Sequence, residues 1–180
     1  MIFEPFAPFV ASDFQVKFAL EPWERSGAAT LRRQVFCTEQ KIFANDDEDE
    51  IDPLAIPIVA IASLGVAFDD VVGTVRIHEA EPGIWWGSRL AVAPAYRRMG
   101  AIGTSLIKLA VSSAHGRGCR RFFAYVQSQN VLLFQRLHWT TLGSLELHRR
   151  PHHAMEADLS FYPPIYNPSS GFRVLPKKAA

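Results

Sequence analysis

Arg97-Arg98-Met99-Gly100-Ala101-Ile102-Gly103-Thr104 is the stretch of this chain best suited to holding an anion. Gly100, Ala101 and Gly103 have little or no side chain to keep a phosphate off the backbone, and the two arginines add positive charge. Downstream, Ile102, Leu106, Leu109, Ala110 and Ser113 share one helical face, while Thr104, Lys108, Ser112 and His115 share another. The stretch therefore opens an amphipathic helix, which Gly116-Arg117-Gly118 stops. Unpaired N–H groups at such a helix start, beside the positive end of its dipole, attract phosphate. A plain helix start with a solvated basic pair would use the same residues. For proton transfer the chain offers His78, Glu79, Glu81, Glu39 and His138, and no spacing decides among them.

The elements that must position this loop follow from periodicity. Residues 86–92 read as a strand that Pro94 ends, because proline has no N–H for the ladder. Residues 57–64, 71–78 and 84–92 form three strands of an antiparallel meander, with turns at 65–70 and 79–83. Residues 122–127 are a further strand; strand, helix and strand in that order imply a right-handed crossover and a parallel pair. Earlier, residues 15–21 alternate as a half-buried strand closed by Pro22, and residues 23–37 are helical, with Leu31, Val35 and Phe36 inward and Arg32 and Arg33 nearby. Trp85 and Trp86 point to opposite faces of their strand, so one belongs to the core and the other can wall a pocket.

Composition bounds the remaining possibilities. A chain of 180 residues, 48% hydrophobic, is one domain with a proper core, and a net charge of +1 argues against a nucleic-acid stripe. Two cysteines, Cys37 and Cys119, without a signal-like N-terminus fit a cytoplasmic protein, and no apolar run approaches the roughly eighteen residues of a membrane helix. Residues 1–13 read as an N-terminal arm, 14–162 as the domain and 163–180 as a Pro-rich tail or packed arm. His148, His152 and His153 flank Arg149-Arg150-Pro151 and lack a fourth ligand, so no metal is expected. Six carboxylates at Asp46, Asp47, Glu48, Asp49, Glu50 and Asp52 read either as a solvated loop or as a negative field that would draw in a cation.

Beyond these readings, the segment from Leu90 to Leu106 resembles the acyl-CoA pyrophosphate loop of the GNAT N-acyltransferase superfamily, with its pattern Arg/Gln-x-x-Gly-x-Gly/Ala. Counting back from Leu106 aligns Arg98, Ala101 and Gly103 with that pattern; counting from Pro94 selects Arg97 and Gly100 and puts Ile102 on a small-residue position. The resemblance implies an α/β GNAT fold, with a mixed, mostly antiparallel sheet, a parallel central splay and helices on both faces. It implies acetyl-CoA as co-substrate, with the backbone of Leu90, Ala91 and Val92 pairing with the pantetheine amides, Arg97 to Thr104 including Met99 cradling the pyrophosphate, and Gln127, Asn130 and Phe134 facing the cofactor. Many relatives carry a tyrosine at the place of Phe134, to protonate the departing thiolate, which phenylalanine cannot do. Arg32-x-x-Val35-Phe36-x-x-Glu39-Gln40 resembles an N-terminal motif of small bacterial GNAT enzymes that walls the acceptor site; it nominates Glu39 as the base and Arg32 and Glu39 as acceptor contacts, to which the alternating tryptophan pair adds Trp85. Residues 150–159, with Trp85-Trp86-Gly87-x-Arg89-Leu90, resemble GNAT proteins encoded beside a nitrilase. The function implied is acetyl transfer to a small-molecule amine by a cytoplasmic enzyme, a homodimer being the candidate assembly. The alternatives are a non-catalytic acyl-CoA sensor and, ranked lower, an acyl-homoserine-lactone synthase.

Overall fold

A computed structural model describes residue 11 and residues 13–63 and 69–175. The sequence arm of residues 1–13 falls outside these, except for Ala11 and Asp13, as does the turn over residues 65–68. Eight strands make one sheet in the order β6-β7-β5-β4-β3-β2-β1-β8. They are β1 (Phe14–Phe18), β2 (Ile56–Ala62), β3 (Asp70–Glu81), β4 (Ile84–Val92), β5 (Arg121–Gln127), β6 (Trp139–Leu147), β7 (Arg150–Ala157) and β8 (Phe172–Val174). Among the described residues only β4 and β5 pair in parallel; every other pairing is antiparallel. The crossover between them is α2 (Ala101–Gly116), as the strand, helix and strand order requires.

Two helices pack on opposite faces. Helix α1 (Pro22–Arg33) begins at Pro22, shortly after β1 has ended at Phe18, with Glu24 reaching back to the N–H groups of Leu20 and Glu21. It continues as a π-helical turn, Gln34–Glu39, in which Gln40 N–H donates to the Val35 carbonyl. Leu31, Val35 and Phe36 form one core layer with Val59, Ile61 and Ala91. On the other face α2 sets Ile102, Leu106, Leu109, Ala110 and Val111 into the larger core with Ile58, Val75, Ile77, Trp85 and Phe122.

The polar face foreseen for α2 is corrected at Ser112, which is fully buried. The C-terminal segment covers it: Ile165 N–H donates to the Ser112 carbonyl, and His115 Nδ1 lies 2.7 Å from the Tyr162 carbonyl. That segment then adds β8 beside β1, so residues 163–175 are a packed arm and part of the domain. Gly171 permits the junction, with φ +57° and the Val16 carbonyl 1.8 Å from where a Cβ would stand.

Candidate active site

The site begins where β4 leaves β5. Their register runs from Ile84↔Arg121 to Gly87↔Ala124 and stops. Beyond Gly87, the β3 partners shift so that Arg89 and Leu90 stand where β3 has only Val75, a bulge in which Arg89 has φ +56°. The bulge turns β4 away from β5 and sends two neighbouring side chains opposite ways. Leu90 packs against the α2 core, while Arg89 reaches Asp47 and Asp49 on the α1 side. The backbone of Leu90, Ala91 and Val92 therefore borders the splay, although the Val92 carbonyl already accepts from Arg97 Nε at 2.9 Å.

At the end of β4 a 3₁₀ turn, Pro94–Met99, delivers the chain to α2 through Gly100, whose φ of +64° is left-handed. Ile102 is 1% exposed, its side chain held in the core. Counting back from Leu106 puts the small Ala101 and Gly103, and not this buried side chain, at the small-residue positions of the loop. A Cβ on Gly100 would meet nothing within 4 Å, and one on Gly103 only Val92 Cγ2 at 4.0 Å, so the first turn of α2 is open to an anion. Arg98 is exposed and makes no ion pair among the described residues. Arg97 is tied instead to Glu39 through two hydrogen bonds.

This pairing revises the place of Glu39. The Arg97 guanidinium holds its carboxyl below the ordinary carboxylate value, and Glu39 is not among the residues around the cavity described below. A carboxylate so neutralised is a poor proton acceptor. Trp85 is also corrected: it is 4% exposed in the α2 core, and Trp86 is the ring on the pocket side, 4.8 Å from Tyr125.

The acidic run is corrected as well. Arg32 Nε donates to Asp47 at 2.7 Å and its Nη1 to Asp52 at 2.6 Å. Arg76 grips Asp49 with both Nη atoms at 2.7 and 2.8 Å, and Arg89 joins Asp47 at 3.0 Å. Asp47, Asp49 and Asp52 thus lie in a network with three arginines from α1, β3 and the β4 bulge; Asp46, Glu48 and Glu50 remain exposed. Burial works against the charge of Asp52, but hydrogen bonds from Arg32, the Asp49 N–H and Arg76 overcome it and hold the carboxyl well below its usual range. A balanced network of this kind projects little of the field foreseen for a cationic acceptor. Arg32 is a strut of the network and does not line the cavity.

A cavity of about 460 Å³ passes through the sheet at the splay. Behind it lie α2, β5 and α3 (Val131–Arg136), with Phe134 at its wall; in front lie Gln40, Phe43, His78, Trp86, Tyr125 and His152. Gln127 and Asn130 stand at its edge, Gln127 Nε2 donating to Gln40 Oε1 at 3.0 Å. Two imidazoles matter for chemistry. His78 carries an Nδ1 that is buried without a partner, and its pKa is lowered by burial and by the neighbouring Arg76 charge. His152 places Nδ1 2.9 Å from the Arg150 carbonyl; that oxygen only accepts, so Nδ1–H donates to it. Of the other bases considered, Glu79 accepts from the Gly83 N–H and His138 stacks on Phe161, and neither borders the cavity. Sequence reasoning set His152 aside with the metal question; its two-residue offset from Arg150 on an alternating strand was the available signal. Among the described residues no group of three His, Cys, Asp or Glu is placed to hold a metal ion, and no helix is long and apolar enough to cross a membrane.

Comparison with solved structures finds the same fold in distant relatives. An N-acetyltransferase candidate of Lactobacillus plantarum superposes with a TM-score of 0.70 at 20% identity, over 80% of this chain and 97% of that one. Escherichia coli ElaA gives 0.66 at 19% identity, over 81% and 98%. FeeM, an N-acyl amino acid synthase from uncultured soil microbes, gives 0.62 at 13%, over 83% and 93%. No curated protein matches the sequence. The family model for acetyltransferases (GNAT) matches residues 21–139, from the start of α1 through the loop, the splay and α3 to β6, and on that match the chain belongs to the acetyltransferase (GNAT) family.

Proposed function

We propose that this protein is a CoA-dependent N-acyltransferase that acylates the amine of a small molecule, with acetyl-CoA as the simplest donor. Two observations carry this reading: the through-sheet cavity bordered by an imidazole with an unpartnered buried nitrogen, and, after the end of β4, the open N-terminus of α2. In the proposed site Arg98 and the N–H groups of Ala101, Ile102 and Gly103 hold the pyrophosphate, and Thr104 completes the turn. Every acyl-CoA shares that pyrophosphate, so the loop serves any donor. The thioester lies in the splay, and the amine attacks its carbonyl from the α1 side, beside the packed rings of Trp86 and Tyr125. As the C–N bond forms and the C–S bond breaks, the ammonium proton passes to His78, which its lowered pKa keeps neutral near pH 7. Phe134 donates nothing, so CoA leaves as a thiolate, which a thiol pKa near 8.5 allows. A reducing cytoplasm as its setting is supported by Cys37 and Cys119, both free thiols.

The test is the pH dependence of kcat/KM for an amine panel with acetyl-CoA. A base with a depressed pKa works above that value and fails as protonation sets in, so activity should hold from pH 7 down through the ordinary histidine value and fall only below it. His78→Gln should remove that acid limb and lower kcat/KM by about 100-fold or more. Loss of the limb in His152→Gln, with His78→Gln unchanged, would assign the base to His152. The non-catalytic alternative rests on Phe134; it is the correct reading if the protein binds acetyl-CoA yet turns over no amine.

A further inference from the structure

The register of the sheet sets an imidazole and an aromatic row side by side. His78 of β3 is the antiparallel partner of Trp86 of β4, so the two side chains leave the same face of the sheet as cross-strand neighbours, with Cβ atoms about 5 Å apart. In the next strand Trp86 pairs with Phe123, and Tyr125, two residues on, lies on that same face. The Trp86 ring meets Phe123 at 5.3 Å and Tyr125 at 4.8 Å between centroids. The outer end of this row is closed: the Arg121 guanidinium stands 4.7 Å from the centre of the Phe123 ring, and Phe123 does not border the cavity. The inner end is open. Trp86 and Tyr125 both border the cavity, Trp86 half-buried and Tyr125 48% exposed.

The other rings at the front are already engaged. Arg89 stands over Phe43 at 4.6 Å and over Phe36 at 5.9 Å, and His148 meets Phe43 edge-on. The charges there cancel as well. Asp49, the one carboxylate bordering the cavity among the described residues, is bound through both oxygens by Arg76, and Arg89 is held by Asp47 and Asp49. No unmatched carboxylate borders the cavity to select a second ammonium group, and neither bordering guanidinium is free to select a carboxylate. The amides of Gln40 and Gln127 are bonded to each other. What remains to recognise an acceptor is the open aromatic surface of Trp86 and Tyr125 beside His78.

We infer that the acceptor is an arylalkylamine, whose ring lies against Trp86 and Tyr125 while one or two methylenes carry its amine to His78. The inference rests on the N-acyltransferase reading above. The short linker follows from the register, because a ring on Trp86 is one cross-strand step from the imidazole. Initial rates with acetyl-CoA and 2-phenylethylamine, 2-cyclohexylethylamine, butylamine or putrescine test it. Covering a phenyl group against the two rings should raise kcat/KM for 2-phenylethylamine at least about tenfold above butylamine. The added attraction between aromatic rings should set it about two- to tenfold above its cyclohexyl counterpart. Trp86→Leu keeps apolar bulk without the ring and should bring the phenyl-to-cyclohexyl ratio toward one; should that variant fail to fold, Tyr125→Ala, at an exposed position, reads the same ratio. A wild-type phenyl-to-cyclohexyl ratio of one, or a preference for putrescine, overturns the aryl site and leaves the transferase reading intact. A phenyl preference that neither substitution lowers puts the ring elsewhere and overturns the aryl site as well. Acylation of none of the amines overturns it too, and silence across a wider amine panel overturns the transferase reading with it.

Discussion

Residues 46–52 and residues 97–103 each concentrate charge of one sign, and the fold treats them in opposite ways. Three carboxylates of the acidic run are drawn between α1, β3 and the β4 bulge and neutralised by Arg32, Arg76 and Arg89. The basic pair stays exposed at the end of β4, with Arg97 bound to Glu39 and Arg98 making no ion pair among the described residues. The difference shows that charge density along a chain becomes a binding field only where the fold leaves the charges unmatched. The acidic network braces the front wall of the cavity, and the basic loop is the part able to meet a charged ligand.

The contrast is broken most severely at Arg76, 2% exposed and joined to both Asp49 and Asp52. Arg76→Leu takes one of the two arginine partners from each of Asp49 and Asp52 and should cost about 3 kcal/mol of stability in urea denaturation; a loss under about 1 kcal/mol would show that the network does not brace the fold. The same groups set acid sensitivity. Asp49 and Asp52 have pKa values below the ordinary 3.8, so as pH falls through about 4 the unfolded chain takes protons that the folded one refuses. The stability they contribute is complete above that value and is lost below it, and a melting series across pH 5 to 2.5 should show a drop that is shallower in Arg76→Leu.

Gly103→Val acts on the other cluster. The side chain enters open space, so the fold should tolerate it, while CoA affinity should fall at least about tenfold, or about 1.4 kcal/mol, in calorimetry. Unchanged affinity would move the pyrophosphate away from the first turn of α2. The smallest effect belongs to Glu39→Gln. Its pair with Arg97 is solvent-exposed, so stability should change by less than about 1 kcal/mol. Freed from Glu39, Arg97 should keep or improve CoA affinity, and a large loss of turnover in this variant would return Glu39 to catalysis.

Period and punctuation along the sequence were enough for the helix after Gly100, the meander of β2, β3 and β4, the parallel partner β5 and the loop between them. Each depends on neighbours a few residues apart, where side-chain alternation and proline or glycine act directly on the backbone. The choice of Trp86 over Trp85 for the pocket needed the sheet, because alternation separates the two rings without naming the face that holds the core. The burial of the Ile102 side chain likewise needed α2 to lie on β3, against Gly73, whose absent Cβ makes room for it. The partners of Asp47 and Asp49 lie 15, 27 and 42 positions away, and Glu39 meets Arg97 across 58. No local pattern encodes such pairings. Residue types and their spacing determined what each segment can form, and the folded sheet decided which charges cancel, which imidazoles face the cavity and where apolar space is left, because those depend on groups that only tertiary packing brings together.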